Sequence, residues 1–222
     1  MFINLNQNKN FKLFKIISEV AGRNGQSVYA VGGFVRDLLM KRKAPTDIDF
    51  VTESSGIELA ESIAKEIDPK TKVAVFKTYG TAMFKYKDLE LEFVGARKES
   101  YSEDSRKPSV EIGTLEDDQK RRDFTINAMA ISLNKDNFGE LIDPFGGMQD
   151  LSNKILKTPL EPHQTYSDDP LRMMRAIRFS TTLDFEIEKN SLKAIKEEAE
   201  RMKIVSMERI MVAVSYTHLT LP

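Results

Sequence analysis

Apolar and polar positions along the chain alternate with two different periods, and the period changes mark the elements. Phe11 to Ala21 places Phe11, Leu13, Phe14, Ile17 and Val20 at helical spacing, and Gly22 and Gly25 end that run. Val28 to Val31 predicts a short buried strand, Gly33 to Met40 a helix leaving its end, and Asp47 to Val51 a second strand. Ile57 to Ile67 is an amphipathic helix stopped by Asp68-Pro69. Val73 to Phe76, Thr81 to Tyr86 and Leu89 to Val94 alternate as strands, the last two joined by a tight turn at Lys87-Asp88. Arg97 to Asp118 loses the pattern: it is polar and charged, and predicts a mobile loop. Gln119 to Met129 reads as helix, Ala130 to Leu133 and Leu141 to Ile142 as strands. From Pro170 only helical patterns remain, over Leu171 to Leu183, Lys189 to Met202 and from Ser206 on.

The order predicts an α+β fold, a mixed sheet flanked by helices over residues 1–157 and then a helical segment over 158–211. The stretch from Ser215 to Pro222 breaks the charged helical pattern before it, so 212–222 is read as a tail, artefactual or foreign to the rest. No repeat or low-complexity segment occurs.

Composition narrows the class. Of 222 residues, 41% are hydrophobic, enough for a real core, and no apolar run is long enough to span a membrane. The first residues lack the pattern of a secretory signal, which predicts a cytoplasmic protein. There is no cysteine and only two histidines, which excludes disulfides and thiolate metal sites and leaves little for zinc. A net charge of −1 argues against a protein that coats nucleic acid. The basic residues are nevertheless clustered, at Lys41-Arg42-Lys43, at Lys120-Arg121-Arg122 and at Arg172, Arg175 and Arg178.

The chemistry concentrates between Val31 and Val51. Gly32-Gly33 opens a helix whose first turn can approach a phosphate, with Arg36 one turn in, and a tight turn needing glycine is the competing reason for the pair. No Gly-Lys-Ser/Thr is present, so this is no Walker loop. Asp37 is expected to orient Arg36 or the turn. Asp47 and Asp49 then begin an apolar strand and share a face, while Ile48 points into the core. Two carboxylates beside a phosphate-sized gap suit magnesium-dependent phosphoryl or nucleotidyl transfer. An Asp-x-Asp alone is weak evidence, since glycosyltransferases also use one. A third carboxylate would complete such a site. Glu92 is the choice and Glu90 the reserve; both lie on one face of the strand Leu89 to Val94, and spacing alone does not separate them.

Four ordered motifs carry a resemblance over roughly residues 28 to 210. They are Val31-Gly32-Gly33-x-x-Arg36-Asp37 with Asp47-x-Asp49, then Arg121-Arg122-Asp123-Phe124-Thr125-Ile126-Asn127-Ala128, then Asp143-Pro144-Phe145-Gly146-Gly147, then Asp169-x-x-Arg172-Met173-Met174-Arg175-Ala176-x-Arg178-Phe179. Together they resemble the class II tRNA nucleotidyltransferases, the CCA-adding enzymes and their relatives the bacterial poly(A) polymerases. The resemblance implies a polymerase-β-like nucleotidyltransferase head followed by an all-helical neck. It implies two Mg2+ ions on Asp47 and Asp49 with Glu92 as third carboxylate, and phosphate and sugar contacts from Gly33, Arg36 and Arg122. Asp123 and Asn127 would support that site. The implied partners are CTP, ATP and the 3′ end of tRNA, with no membrane.

In the neck, Asp169, Arg172, Arg175 and Arg178 are spaced by threes and predict a stripe along one helix, with Leu171, Met174 and Ile177 on its other side. A carboxylate accepts from the exocyclic amine of C or A, and a guanidinium donates to the adjacent ring acceptor. The family's residues matching Asp169 and Arg172 read the incoming base in this way. Local Asp–Arg pairs on an exposed helix are the plainer alternative, each worth a fraction of a kcal/mol.

Two features bear on the choice among related activities. Where bacterial poly(A) polymerases carry an Arg-Arg-Phe element followed by His-Val, this chain has Phe76-Lys77-Thr78-Tyr79-Gly80-Thr81-Ala82, which favours CCA addition. The polar stretch from Arg97 to Asp118 corresponds to a loop that supports the switch from C to A in the family. A nucleotide-binding fragment without efficient catalysis is the alternative from another class, because the chain is expected to stop soon after the neck begins.

Overall fold

The computed structural model describes residues 1–42, 46–102 and 105–211. The proposed tail, 212–222, and Lys43 of the first basic cluster lie outside them. The chain forms two compact units, each drawn from several stretches: Met1–Lys98, Val110–Gln119 and Met129–Pro144 in the first, and Glu99–Ser109, Lys120–Ala128 and Phe145 onward in the second.

The first unit is built on a seven-stranded mixed sheet. Helix α1 (Phe11–Arg23) leads to β1 (Tyr29–Val31), α2 (Gly33–Leu39), β2 (Asp47–Thr52) and α3 (Gly56–Ile67). Strands β3 (Ala74–Phe76), β4 (Thr81–Tyr86) and β5 (Leu89–Gly95) follow. With β8 (Ala130–Ser132) and β9 (Leu141–Ile142) the order across the sheet is β3-β4-β5-β2-β1-β8-β9. Only β2 and β5 of its neighbours run parallel.

One face of this sheet is a dry core. Leu13, Phe14, Ile17, Val20 and Ala21 form the buried stripe of α1. Phe14 meets Phe34 and Phe50 edge-on, and Phe50, Phe93 and Phe84 stack across β2, β5 and β4. This ladder fixes which side of each strand faces inward, and so turns Asp47 and Asp49 to the opposite face. Helix α3 begins with Ser55 accepting a hydrogen bond from the Glu58 N–H at 3.2 Å. Its first residue has to be glycine: a Cβ on Gly56 would stand 2.7 Å from the Val94 carbonyl carbon and 2.8 Å from the Gly95 nitrogen.

Within the stretch expected to be a mobile loop, Arg97 to Asp118, residues 97–102 and 105–112 form two strands and a helix begins at 115, while 103–104 lie outside the described residues. Strands β6 (Arg97–Ser102) and β7 (Ser105–Ile112) form a separate two-stranded sheet, and α4 (Leu115–Lys120) follows. Such a ribbon is held by backbone pairing between two edge strands, which needs no apolar alternation in the sequence. The single helix expected from Gln119 to Met129 is also divided. The chain turns through Arg121 to Asp123, and α5 (Thr125–Ala128) starts anew.

In the second unit, α6 (Gly147–Asn153), β10 (Ile155–Leu156), α7 (Pro162–Asp168) and α8 (Leu171–Leu183) are followed by β11 (Glu186–Ile187) and α9 (Lys189–Glu198). Six residues of 3-10 helix, Ala199–Ile204, close the segment. The neck departs from the purely helical expectation in one detail: β11 pairs in parallel with β10. No helix among the described residues is long and apolar enough to cross a membrane.

Candidate functional site

Strand pairing in the first unit gathers the acidic residues. Asp47 lies opposite Glu90 and Asp49 opposite Glu92 in the parallel β2–β5 register. Ile48 and Phe50 are fully buried behind them, so all four carboxylates share the outer face. Glu92 is half-buried, whereas Glu90 is exposed. Across β4, Glu90 faces Lys85 and Glu92 faces Met83, so the two acids differ in surroundings even though their spacing is alike. Burial raises the proton affinity of Glu92, and the neighbouring charges of Asp49, Glu90 and Asp47 raise it further, while Arg97 opposes them. Arg97 also donates to the Thr81 hydroxyl at 3.2 Å. Sequence reading missed Arg97 because it took this residue as the start of a loop.

Like charges crowded on a rigid face are electrostatically unfavourable without a cation, and hard oxygen donors suit magnesium. Among the described residues, no group of three or more His, Cys, Asp or Glu side chains is placed to hold a metal ion, so Asp47, Asp49 and Glu92 do not form a three-carboxylate site by themselves. Magnesium is usually held by one or two carboxylates with substrate phosphates completing the shell. The donor set therefore fits a divalent ion shared with a phosphate ligand.

The glycine pair separates into two roles. Gly32 has φ 72° and ψ −139°, a conformation closed to side-chain-bearing residues, and it caps α2. Gly33 has ordinary backbone, and a Cβ there would meet only the Arg36 guanidinium tip at 3.6 Å. Arg36 is buried and gripped by Asp37 in a two-point contact, Nε to Oδ1 at 2.9 Å and Nη2 to Oδ2 at 3.1 Å. Asp37 thus orients Arg36, as the sequence suggested.

The second unit holds the other candidates together. Asp123 Oδ1 accepts from the Phe124 N–H at 2.8 Å and from the Asn127 amide at 3.0 Å. Its Oδ2 accepts from Arg175 Nε at 2.7 Å and Nη2 at 2.6 Å. Burial alone would raise the Asp123 pKa, but Arg175, Asn127 and the Phe124 N–H outweigh it and hold the carboxyl below the usual range. Arg122 Nη1 reaches the Asn127 carbonyl at 3.4 Å. Arg172 donates to two carbonyls, Thr165 at 3.2 Å and Arg121 at 2.5 Å. Tyr166, fully enclosed, shares a hydrogen bond with Ser191, and burial pushes its phenol up to about 12. Thr125, inside the second motif, donates to Asp150 at 2.6 Å, a partner that the motif does not include.

The predicted stripe along one helix needs correction. Asp169 precedes α8, in extended backbone (φ −138°, ψ 98°), because a residue before proline is pushed out of the helical region. Its Oδ1 accepts from the Leu171 N–H at 3.2 Å, and Arg209 approaches its Oδ2 at 4.0 Å. The buried face of α8 is Met173, Ala176, Phe179 and Leu183, while Ile177 is 50% exposed. Arg175 and Arg178 lie over the Phe179 ring, 5.3 and 4.8 Å from its centroid. Arg172 and Arg175 are therefore tied to the turn at Arg121 to Asp123, rather than forming an independent row of charges.

Known proteins match along most of the chain. The model of the poly A polymerase head domain covers residues 28–157, and that of a probable RNA and SrmB-binding site of polymerase A covers 184–213. An A-adding tRNA nucleotidyltransferase of Aquifex aeolicus is 43% identical over 76% of this chain and 20% of its own length. A CCA-adding enzyme of Lactobacillus helveticus is 39% identical over 84% of this chain and 44% of its own. Among solved structures, a tRNA nucleotidyltransferase in complex with a primer tRNA and an incoming ATP analogue superposes with TM-score 0.79 at 36% identity, covering 90% of this chain and 55% of that one. The Thermotoga maritima CCA-adding enzyme with tRNA gives 0.80 at 33% identity, covering 96% and 48%. The chain thus spans about half the length of these solved relatives and less than half of the two curated ones. With the head-domain model covering more than half of its residues and these relatives beside it, the chain belongs to the poly A polymerase head domain family, that of the class II tRNA nucleotidyltransferases and bacterial poly(A) polymerases.

Proposed function

We propose that the chain comprises the catalytic head, 1–157, and the start of the neck, 158–211, of a cytoplasmic, template-independent nucleotidyltransferase that adds CMP and AMP to the 3′ end of tRNA from CTP and ATP. The observation that carries this reading is the register of Asp47 and Asp49 with Glu90 and Glu92 on one sheet face, with Glu92 the half-buried member. Several of the similar proteins bear the name CCA-adding enzyme, which supports the substrate class.

Nucleotidyltransferases of this family generally use divalent metals. Asp47 and Asp49 would hold Mg2+, a pair of ions in our reading, which supplies charge neutralisation at the attacking and leaving oxygens. Glu92, half-buried and paired across from Asp49, would take the proton of the RNA 3′ hydroxyl. That oxygen attacks the α-phosphorus in line, the new O3′–P bond forms, and the bond to pyrophosphate breaks. The Gly32-Gly33 backbone lets a phosphate approach closely, and Arg36, preset by Asp37, faces it. Arg122 would contact the nucleotide, and Asp123 and Asn127 would support that contact from beneath. Asp169 and Arg172 read the base edge; Arg172 spends two N–H donors on carbonyls and keeps others for a ligand. Arg175 and Arg178 complete that basic surface.

A second reading has a specific observation behind it: a relative at 43% identity is named A-adding. Supplying α-labelled CTP or ATP separately to tRNA lacking its 3′ end, and to tRNA already ending in two C residues, decides between them. CCA addition requires C incorporation into the first RNA and A into the second. Incorporation of A alone selects the A-adding reading, and long A tracts select a poly(A) polymerase. Saturable nucleotide binding without incorporation into either RNA reduces the chain to a binding fragment.

A further inference from the structure

The face that carries the four carboxylates continues past them to the edge of the sheet, and its character reverses on the way. Strand register defines the rows. Asp49, Glu92, Met83 and Ala74 follow one another across β2, β5, β4 and β3, and beside them run Asp47, Glu90 and Lys85. Val94, Thr81 and Phe76 make the next row. The surface thus goes from acidic at β2 and β5 to apolar and basic at β4 and β3. A cleft of about 430 Å3 lies at this edge, with Thr71, Lys72, Ala74, Met83, Lys85 and Glu90 in its lining. Met83 and Ala74 give it an apolar floor, and Lys72 and Lys85 stand exposed at its sides. Among the described residues neither lysine has an ion-pair partner. Phe76, on the same face, is 45% exposed on an edge strand, where burial gives it no reason to be aromatic.

We propose that this cleft and Phe76 form a track for the single-stranded RNA that leads to the reacting 3′ end, holding the nucleotide next to the terminal one. The inference rests on the RNA-extending reading above and names where the strand lies. Charge complementarity selects the occupant: a strand ending at the carboxylates carries one phosphate per nucleotide onto the side where Lys72 and Lys85 are. An apolar floor and an exposed aromatic suit a base face, which stacks without regard to sequence. Glu90 at the cleft's inner rim marks the side on which the strand meets the carboxylates. This also assigns the Phe76–Thr81 segment, and Lys85 opposite Glu90, a role the chemistry of transfer does not use.

The test uses the whole chain and a 5′-fluorescein-labelled single-stranded RNA with a free 3′ hydroxyl, its binding followed by anisotropy over a range of salt. Each phosphate contact contributes about 0.7 to the slope of log affinity against log salt for single strands. The double variant Lys72→Gln/Lys85→Gln therefore lowers the slope by about 1.4 and weakens binding about tenfold at low salt. Phe76→Ala weakens binding several-fold and leaves the slope unchanged. Lys12→Gln, a single charge change on α1 behind the core face, leaves both unchanged. ATP binding, measured by equilibrium dialysis, stays the same in every variant.

Equal RNA affinity and slope in the double variant and the wild type overturns the track, and leaves nucleotidyl transfer standing if the wild type still extends RNA. A fall in ATP binding with RNA binding intact also overturns it, and makes the cleft a triphosphate subsite. Absence of RNA binding by the wild type at low salt overturns it too. Lysine-dependent binding without extension supports the track and removes the activity instead.

Discussion

Replacing Asp123 by asparagine removes one charge from a carboxyl that is 7% exposed and accepts four hydrogen bonds, from Phe124, Asn127 and two nitrogens of Arg175. An asparagine at 123 offers one acceptor oxygen in place of two, so it can keep either the Phe124 N–H or Arg175 satisfied, with its NH2 turned toward a donor. Breaking a fully buried pair by removing one partner costs about 3–5 kcal/mol. Arg175, with 37% of its side chain exposed, recovers part of its hydration, so the expected loss is about 2–3 kcal/mol. For a chain of this size that lowers the melting midpoint by roughly 5–10 °C.

The pH dependence has a definite sign. A carboxyl held below its usual range contributes stability that is fully present above its unfolded pKa, and loses it as the pH falls through the folded value. The gap between wild type and Asp123→Asn in urea titrations should therefore stay constant from neutral pH down to about 5 and close below about 4. A double cycle with Arg175→Ala should give a coupling above about 1 kcal/mol. Equal stability at neutral pH, or a gap that closes well above pH 5, would refute the ion pair as the reason for this arrangement.

Other expectations follow from single contacts. Gly56→Ala forces a methyl into the β5 backbone and should cost about 2–4 kcal/mol, read by chemical denaturation; a change under 1 kcal/mol would mean that α3 shifts freely. Tyr166→Phe leaves the buried Ser191 hydroxyl without its partner and should cost about 1–2 kcal/mol in the same assay, with no loss expected if water enters instead. Glu92→Gln should lower kcat by about a hundredfold or more while Glu90→Gln lowers it less than about tenfold; the reverse order would make Glu90 the third carboxylate.

What could be read from the chain depended on how local each cause is. Ile48 and Phe50 alternate with Asp47 and Asp49 in five residues, so the strand and its acidic face were legible at once. The different surroundings of Glu92 and Glu90 come from Met83 and Lys85, which a parallel pairing some forty residues distant and a hairpin bring in. Asp123 and Arg175 are 52 positions apart, and no local spacing links them. On α8, Leu171, Met174 and Ile177 and the buried Met173, Ala176 and Phe179 share the same spacing, so only packing decides which row faces inward. Pro170 did carry a signal, since it forces Asp169 out of the helix. The two-residue strands β10 and β11 are too short for any periodicity.

The central claim is that Asp47 and Asp49 organise nucleotide addition to an RNA 3′ end. Its most direct measurement is the transfer of label from α-labelled CTP to tRNA lacking its 3′ end, in magnesium, by the wild type and by Asp47→Asn at matched secondary structure and melting midpoint. The account predicts incorporation by the wild type and none above background by the variant. Undiminished incorporation by Asp47→Asn would contradict it.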